Sequence, residues 1–259
     1  VRPGGEEEAH CLENALRMLE EQGDHLAGLI VEPLVQGAAG MKMHSKKYIN
    51  TLVKKAQEKD ILIIVDEVAV GFGRTGTLFA TEQLDFEPDF LCLAKGISGG
   101  YLPLAATLTT ESIYDAFLGL PEEGKQFFHG HTYTGNPLAC AVSLASLGLF
   151  RTQNVLAHVA RLTDVFSTEL AALERTPWVR HTRQCGVMIG IDLCAPDGSD
   201  APPQTGHKVS MRARALGAVF RPLGNTIVLN PPLSLTTTEA IRLIEITREA
   251  SRNVLEDVT

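Results

Sequence analysis

Val65-Asp66-Glu67-Val68-Ala69-Val70-Gly71-Phe72-Gly73-Arg74-Thr75-Gly76 closes an apolar, β-branched run, Ile61 to Val65. A second apolar run, Asp89 to Leu93, leads into Ala94-Lys95-Gly96-Ile97-Ser98-Gly99-Gly100, with Lys95 29 positions after Asp66. Both runs have strand length and lack polar alternation, the pattern of parallel strands buried on both faces. Ligands of an open α/β sheet bind beyond the carboxyl ends of its strands, which is where Asp66 and Lys95 are expected. An acid and a lysine in that place suit pyridoxal phosphate. The lysine can hold the cofactor aldehyde as a Schiff base, and the aspartate can pair with the pyridine nitrogen so that the ring stays protonated and accepts electrons. Taken singly, Lys95 reads as a solvated charge and Asp66 as a turn or cap residue; the pairing gives them chemical meaning.

Three other readings compete. Gly71-Phe72-Gly73-Arg74-Thr75-Gly76 satisfies the G-x-G-x-x-G dinucleotide fingerprint, but five residues separate the strand from its first glycine. Thr77 to Phe86 also shows no convincing amphipathic helix. An apolar run ending in Asp-Glu resembles a Walker B strand, yet the chain has no G-x-x-x-x-G-K-[ST]. His129 and His131 form an H-x-H pair without a third ligand at usable spacing, so no metal is expected.

Four segments carry a resemblance to a known family. They are Val31-Glu32-Pro33-Leu34-Val35-Gln36-Gly37, the Asp66-to-Gly76 stretch, Lys95-Gly96, and Thr132-Tyr133-Thr134-Gly135-Asn136-Pro137. Together the chain resembles the class III aminotransferases, and the run Phe128 to Ala141 narrows the likeness to one subfamily. Arg221-Pro222-Leu223-Gly224 and Pro231-Pro232-Leu233 fit the same pattern, so the resemblance spans essentially the whole sequence. It implies the α/β architecture of pyridoxal-phosphate-dependent transferase fold type I: residues 1–153 as part of a large cofactor-binding domain with a mostly parallel sheet, and 154–259 as a smaller α/β C-terminal domain.

The resemblance also implies roles. Lys95 and Asp66 are the catalytic pair, with Lys95 also touching substrate and shuttling a proton; burial beside a cationic cofactor should lower its pKa. Val68 packs on the cofactor ring. Thr132, with His131 beside it, reaches the cofactor phosphate from the neighbouring subunit of a homodimer. Gly130 lines the substrate, and Arg221 grips its carboxylate, a task suited to a bidentate guanidinium. Arg74 orders the floor of the site, and Glu32 neutralises a buried arginine when substrate is absent. The small-molecule partners are an amino donor and a keto acid acceptor. Val1 is not an initiator methionine and family members carry a further N-terminal portion, so the chain is expected to be a fragment holding half a site.

Composition fits a metabolic enzyme. The 259 residues are 44% hydrophobic and 21% charged, enough for one large or two smaller cores. A net charge of -8 without a Lys/Arg run argues against nucleic acid or anionic membrane as partners. Cysteines 11, 92, 140, 185 and 194 are scattered, expected to be reduced and mostly buried in a cytoplasmic protein. No apolar stretch is long enough for a membrane span, and no signal-peptide pattern opens the chain.

Periodicity predicts helices over Glu6 to Gln22, Ser45 to Lys59, Asn154 to Leu173, Lys208 to Leu216 and Thr238 to Val254. Asn136 to Phe150, small and apolar nearly all round, predicts a buried helix with Pro137 in its first turn. Further strands are expected at Ala27 to Glu32, Leu104 to Leu108, Val187 to Leu193, Ala218 to Arg221 and Thr226 to Leu229, with Cys194 to Gly206 a surface loop.

Overall fold

The computed structural model describes residues 6–256. In chain order its elements are α1 (Glu6–Gln22), β1 (Gly28–Val31), β2 (Val35–Gln36), β3 (Lys42–Met43), α2 (Lys46–Gln57), β4 (Leu62–Asp66), β5 (Phe90–Leu93) and β6 (Ala106–Thr109). They continue as α3 (Glu111–Ala116), α4 (Pro137–Thr152), α5 (Val155–Leu173), β7 (Val179–Cys185), β8 (Met188–Leu193), α6 (Thr205–Ala215), β9 (Thr226–Leu229) and α7 (Thr237–Leu255). The chain divides into two compact units. One holds the residues up to Pro33, His44–Phe72 and Phe79–Gln153; the other holds Leu34–Met43, Gly73–Leu78 and the residues from Asn154 onward.

The first unit is built on a four-stranded sheet in the order β1-β4-β5-β6. β1, β4 and β5 run parallel, and β6 closes the edge antiparallel to β5. The α2 helix forms because Ile49, Leu52, Val53 and Ala56 recur at helical spacing and are buried together. Each of the three larger side chains contributes about 2 kcal/mol by leaving water, and they pack where Ile61, Ile63 and Val65 are also buried. Ser45 caps α2 by accepting from Tyr48 N–H, 3.1 Å away. The buried Glu8 of α1 accepts in turn from Ser45 N–H and Oγ, each at 2.7 Å.

Two expectations about burial fail in this unit. The parallel strands are not covered on both faces: Ile63 and Val65 are buried, whereas Ile30 is 63% and Leu62 39% exposed on the opposite face. The α4 helix starts as expected, with Pro137 in its first turn and Asn136 accepting from Leu138 N–H at 2.9 Å. It is not buried, however: only Ala139 and Ser143 are, while Leu138 and Leu144 are 70% and 72% exposed. Ala139 and Ser143 face the protein and the leucines face out, a division that an almost uniformly apolar sequence does not reveal.

The second unit has a three-stranded antiparallel sheet, β7-β8-β9, with α5 and α6 packed on it and α7 packed on those two helices. Val159, Leu162, Phe166, Ile189, Ile191, Ile227 and Ile244 form the centre of its core, all fully buried. The α7 helix opens with a capping box between Thr236 and Glu239. β2 and β3 pair as a small antiparallel ribbon, tied to β7 by Arg183, whose Nε donates to Met41 O at 2.6 Å. Arg183 also pairs with Asp192 of β8.

Here too the expectations from sequence need correction. Ala218 to Arg221 is not a strand: Pro222 cannot donate a ladder hydrogen bond, and the pairing edge is taken up by β9 instead. β7 is hard to foresee because Arg180, His181, Arg183 and Gln184 hide its strand character. The α6 helix begins at Thr205, inside the expected loop, where Gly206 N–H donates to Asn225 Oδ1 at 3.1 Å. All five cysteines are free, but only Cys194 is buried; Cys11 and Cys140 are exposed.

Candidate active site

β4 and β5 run in the same direction, so their carboxyl ends share one edge. Asp66 stands opposite Cys92 in this pairing, and Lys95 is three residues past Cys92. Alternation along the strands puts Asp66 on the open face with Ile30, Leu62 and Ile64. Asp66 Oδ1 accepts from Val68 N–H at 3.0 Å. That is its one hydrogen bond among the described residues, which leaves Oδ2 able to accept from a ligand.

Lys95 opens a 3-10 turn that ends at Ser98. Its φ of 45° lies in the left-handed region, where a non-glycine residue costs on the order of 1 kcal/mol. The turn is pinned by Ile97 N–H to Ala94 O, 3.1 Å, and by Gly99 N–H to Gly96 O, 3.1 Å, with Gly99 itself at φ 59°. From α4, Ser146 Oγ donates to Gly96 O at 3.4 Å. Lys95 is exposed rather than buried, so the expected burial is not supplied by the described residues. Val68 is half-buried one residue past Glu67.

Sequence reasoning missed Glu67. Its side chain is fully buried; Oε2 accepts from Ala80 N–H at 2.9 Å, and Oε1 accepts from Thr81 N–H at 2.7 Å and from Thr81 Oγ1. Burial pushes its carboxyl above the ordinary range, and the Thr81 and Ala80 donors oppose that rise. Strand alternation carried a signal for it: Ile63, Val65 and Glu67 share the buried face.

Gly130, His131 and Thr132 lie on an exposed segment before α4. A turn there is closed by Thr134 N–H to His131 O at 3.0 Å, and His131 N–H donates to Thr134 Oγ1 at 2.9 Å. No hydrogen bond joins these residues to Asp66 or Lys95 among the described residues. Glu32, half-buried, comes directly after β1. In the second unit Arg221 is exposed in the irregular segment after α6. Arg74, also of that unit, donates to Pro231 O, and burial lowers its pKa. No group of three or more His, Cys, Asp or Glu side chains could hold a metal ion among the described residues.

The first unit therefore offers an acid with a spare acceptor oxygen and an exposed primary amine at one edge of adjacent parallel strands. That donor set fits pyridoxal phosphate, which needs an amine for its aldehyde and an anion for its ring nitrogen. The class III aminotransferase family model matches residues 2–250.

The chain belongs to the class III aminotransferases.

Members of this family work with pyridoxal phosphate, in keeping with the chemistry that Asp66 and Lys95 suggest. The chain is 47% identical over 250 residues to the adenosylmethionine-8-amino-7-oxononanoate aminotransferase of Nitratidesulfovibrio vulgaris, covering 95% of this chain and 46% of that protein. It is 40% identical over 247 residues to the protein of that name from Staphylococcus aureus, covering 95% of this chain and 55% of the other. The crystal structure of the Methanocaldococcus jannaschii DSM 2661 enzyme of the same name superposes with a TM-score of 0.89 at 40% identity, over 94% of this chain and 57% of that one. This class III chain thus spans about half the length of the curated relatives it matches. Its α/β fold with a mixed, mostly parallel sheet is the expected fold type I architecture.

Proposed function

We propose that the complete polypeptide carrying this chain converts 8-amino-7-oxononanoate to 7,8-diaminononanoate, a step of biotin biosynthesis, taking the amino group from S-adenosylmethionine or lysine. The observation that carries the reading is that Asp66 and Lys95 come at the carboxyl ends of the adjacent parallel strands β4 and β5. The relatives' names support the choice of substrate, at 40% identity or more.

When bound, pyridoxal phosphate supplies an electron sink that lets an amino group be stored and passed on. Lys95 would hold the cofactor through its amine, and its Nζ would take up and return the proton that the transfer requires. Asp66, with Oδ2 spare, would hold the ring nitrogen in its protonated form. If this raises the ring nitrogen's pKa by about 2, the preference is worth roughly 3 kcal/mol. Val68 packs on the ring face, and Arg74 orders the floor. His131 and Thr132 serve the phosphate of the neighbouring subunit in a homodimer with two shared sites. Gly130 lines the substrate, and Arg221 pairs with its carboxylate. Residues 1–153 and 154–259 act as parts of the large and small domains. No described helix is long and apolar enough to cross a membrane, and the working place proposed is the cytoplasm.

The rival substrate class is that of other ω-transaminases, because one from Thermomicrobium roseum superposes with a TM-score of 0.88 at 32% identity, over 96% of this chain and 56% of that one. The test is the visible spectrum of the complete polypeptide loaded with pyridoxal phosphate, before and after 7,8-diaminononanoate. Bleaching of the band of the lysine-bound cofactor is the expected result. A band that persists with this amine and bleaches with 4-aminobutyrate or ornithine moves the enzyme to the rival class.

A further inference from the structure

Glu67 is fully buried, touches neither Asp66 nor Lys95 by any hydrogen bond, and has no part in the chemistry above. Its backbone N–H is fixed to Cys92 O of β5 at 3.0 Å, and its carbonyl accepts from Gly71 N–H at 3.0 Å. Gly71 lies so close that a methyl group there would come within 2.8 Å of Glu67 O and 3.2 Å of Oε2. The carboxylate then gathers the chain at the far end of the excursion, where Ala80 and Thr81 donate to it. One residue closes both ends of the segment that leaves β4, with its backbone at the near end and its carboxylate at the far end.

Phe79, the residue before Ala80, meets the ring of Phe72 edge-on, with centroids 5.5 Å apart at 73°. Phe72 is buried and has a φ of 54°. Its side chain occupies the place where a side chain at residue 96 would begin: a methyl on Gly96 would stand 2.7 Å from Phe72 Cβ and 2.9 Å from its ring. Gly96 is bonded directly to Lys95, whose left-handed backbone has to be held by its surroundings. A continuous path of contacts runs from Glu67 through Thr81, Ala80, Phe79, Phe72 and Gly96 to Lys95.

We propose that Glu67 is a positioning residue for Lys95, fixing the lysine's turn through the Phe79–Phe72 pair packed on Gly96. The proposal rests on Lys95 being the residue that takes the cofactor. The lysine turn is short and exposed on its outer side; support from Phe72 at Gly96 holds the backbone from which the lysine side chain departs. A purely structural role for Glu67 would cost stability and leave Lys95 as reactive as before.

The experiment uses the complete polypeptide freed of cofactor. The rate at which added pyridoxal phosphate attaches to Lys95 is followed by borohydride trapping and peptide mass spectrometry, well below each variant's melting temperature. Glu67→Gln turns an acceptor oxygen into an NH2 group facing N–H donors, and Thr81→Val removes the hydroxyl donor alone. Both are expected to slow attachment at Lys95 by about tenfold or more, since a displacement near 1 Å costs up to about 100-fold. Thr81→Ser, which keeps the hydroxyl, is expected to retain the wild-type rate. If Glu67→Gln does not fold, Thr81→Val carries the test. Lowered melting temperatures with unchanged attachment rates in the variants overturn the proposal alone. A wild-type protein that takes the cofactor elsewhere than at Lys95 overturns the reading beneath it as well.

Discussion

Asp66 faces Cys92 across the parallel pairing of β4 and β5, three residues ahead of Lys95, so a single register sets the spacing of acid and amine. Lys95→Ala is expected to keep the fold and lose turnover by about 10³-fold or more. Asp66→Asn is expected to bind cofactor and slow by about 10²-fold, the equivalent of the roughly 3 kcal/mol assigned to ring protonation. Steady-state rates with the visible spectrum of each variant check both. Near-wild-type turnover by Lys95→Ala would remove the assignment.

The exposed turn at Thr132 makes a subunit-sharing prediction. Thr132→Ala and Lys95→Ala proteins, each inactive or nearly so, are mixed under conditions that exchange subunits. If Thr132 serves its neighbour's phosphate, about a quarter of all sites regain both native residues. Activity of the mixture is the measurement, and a mixture as poor as its parts would place Thr132 in the site of its own subunit.

The pairing of Arg183 with Asp192 yields a pH dependence. Burial works to raise the Asp192 carboxyl, but the hydrogen bonds from Arg183 and Thr226 and the charge of Arg183 together hold it below the ordinary value. A carboxylate held low in the folded state stabilises it above the unfolded pKa, about 3.9, and loses that contribution as pH falls through the folded value. The Arg183 side chain is 9% exposed and that of Asp192 33%. Allowing for that partial exposure, Asp192→Asn is expected to cost about 2 kcal/mol at pH 7. Denaturant unfolding at pH 7 and below about pH 4 should show the gap between variant and wild type narrowing in acid. A gap independent of pH would contradict the pairing.

Ser45 links two helices of the first unit by capping α2 while donating to Glu8. Ser45→Ala removes the cap and the hydroxyl donor to a buried carboxylate, with an expected cost of about 2 kcal/mol. Ser45→Thr retains both contacts and should stay within about 0.5 kcal/mol of wild type. Equal stabilities for alanine and threonine at this position would show that the contacts contribute nothing.

The site was legible where chemistry sits at the end of an apolar run. Ile61 to Val65 and Asp89 to Leu93 announce strands, and an open α/β sheet binds its ligands just beyond the ends of such strands, so Asp66 and Lys95 stood out. Burial was harder to read. The leucines of α4 and Ile30 of β1 look like core residues in any pattern, yet they are exposed, because sequence shows apolarity and not the surface packed against it. β7 escaped because its polar side chains serve pairings such as Arg183 with Asp192, and Ala218 to Arg221 misled because short apolar character does not supply a pairing partner. The family segments extended the reading to residues such as Thr132 and Arg221, for which local chemistry alone gave no reason.

The β2–β3 ribbon has a consequence for how the chain is made. Met41 receives its hydrogen bond from Arg183, a residue 142 positions later, so the ribbon belongs to a unit whose partner strand is made only that much later. At about 5 to 20 residues per second, the ribbon leaves the ribosome roughly 7 to 30 s before its partner strand exists. During that interval Val35 and Met43, fully or almost fully buried in the finished fold, have nothing of their own unit to pack on. Slowing translation between the two segments would lengthen that interval, and a chaperone that shields short apolar ribbons would act on this protein before Arg183 emerges.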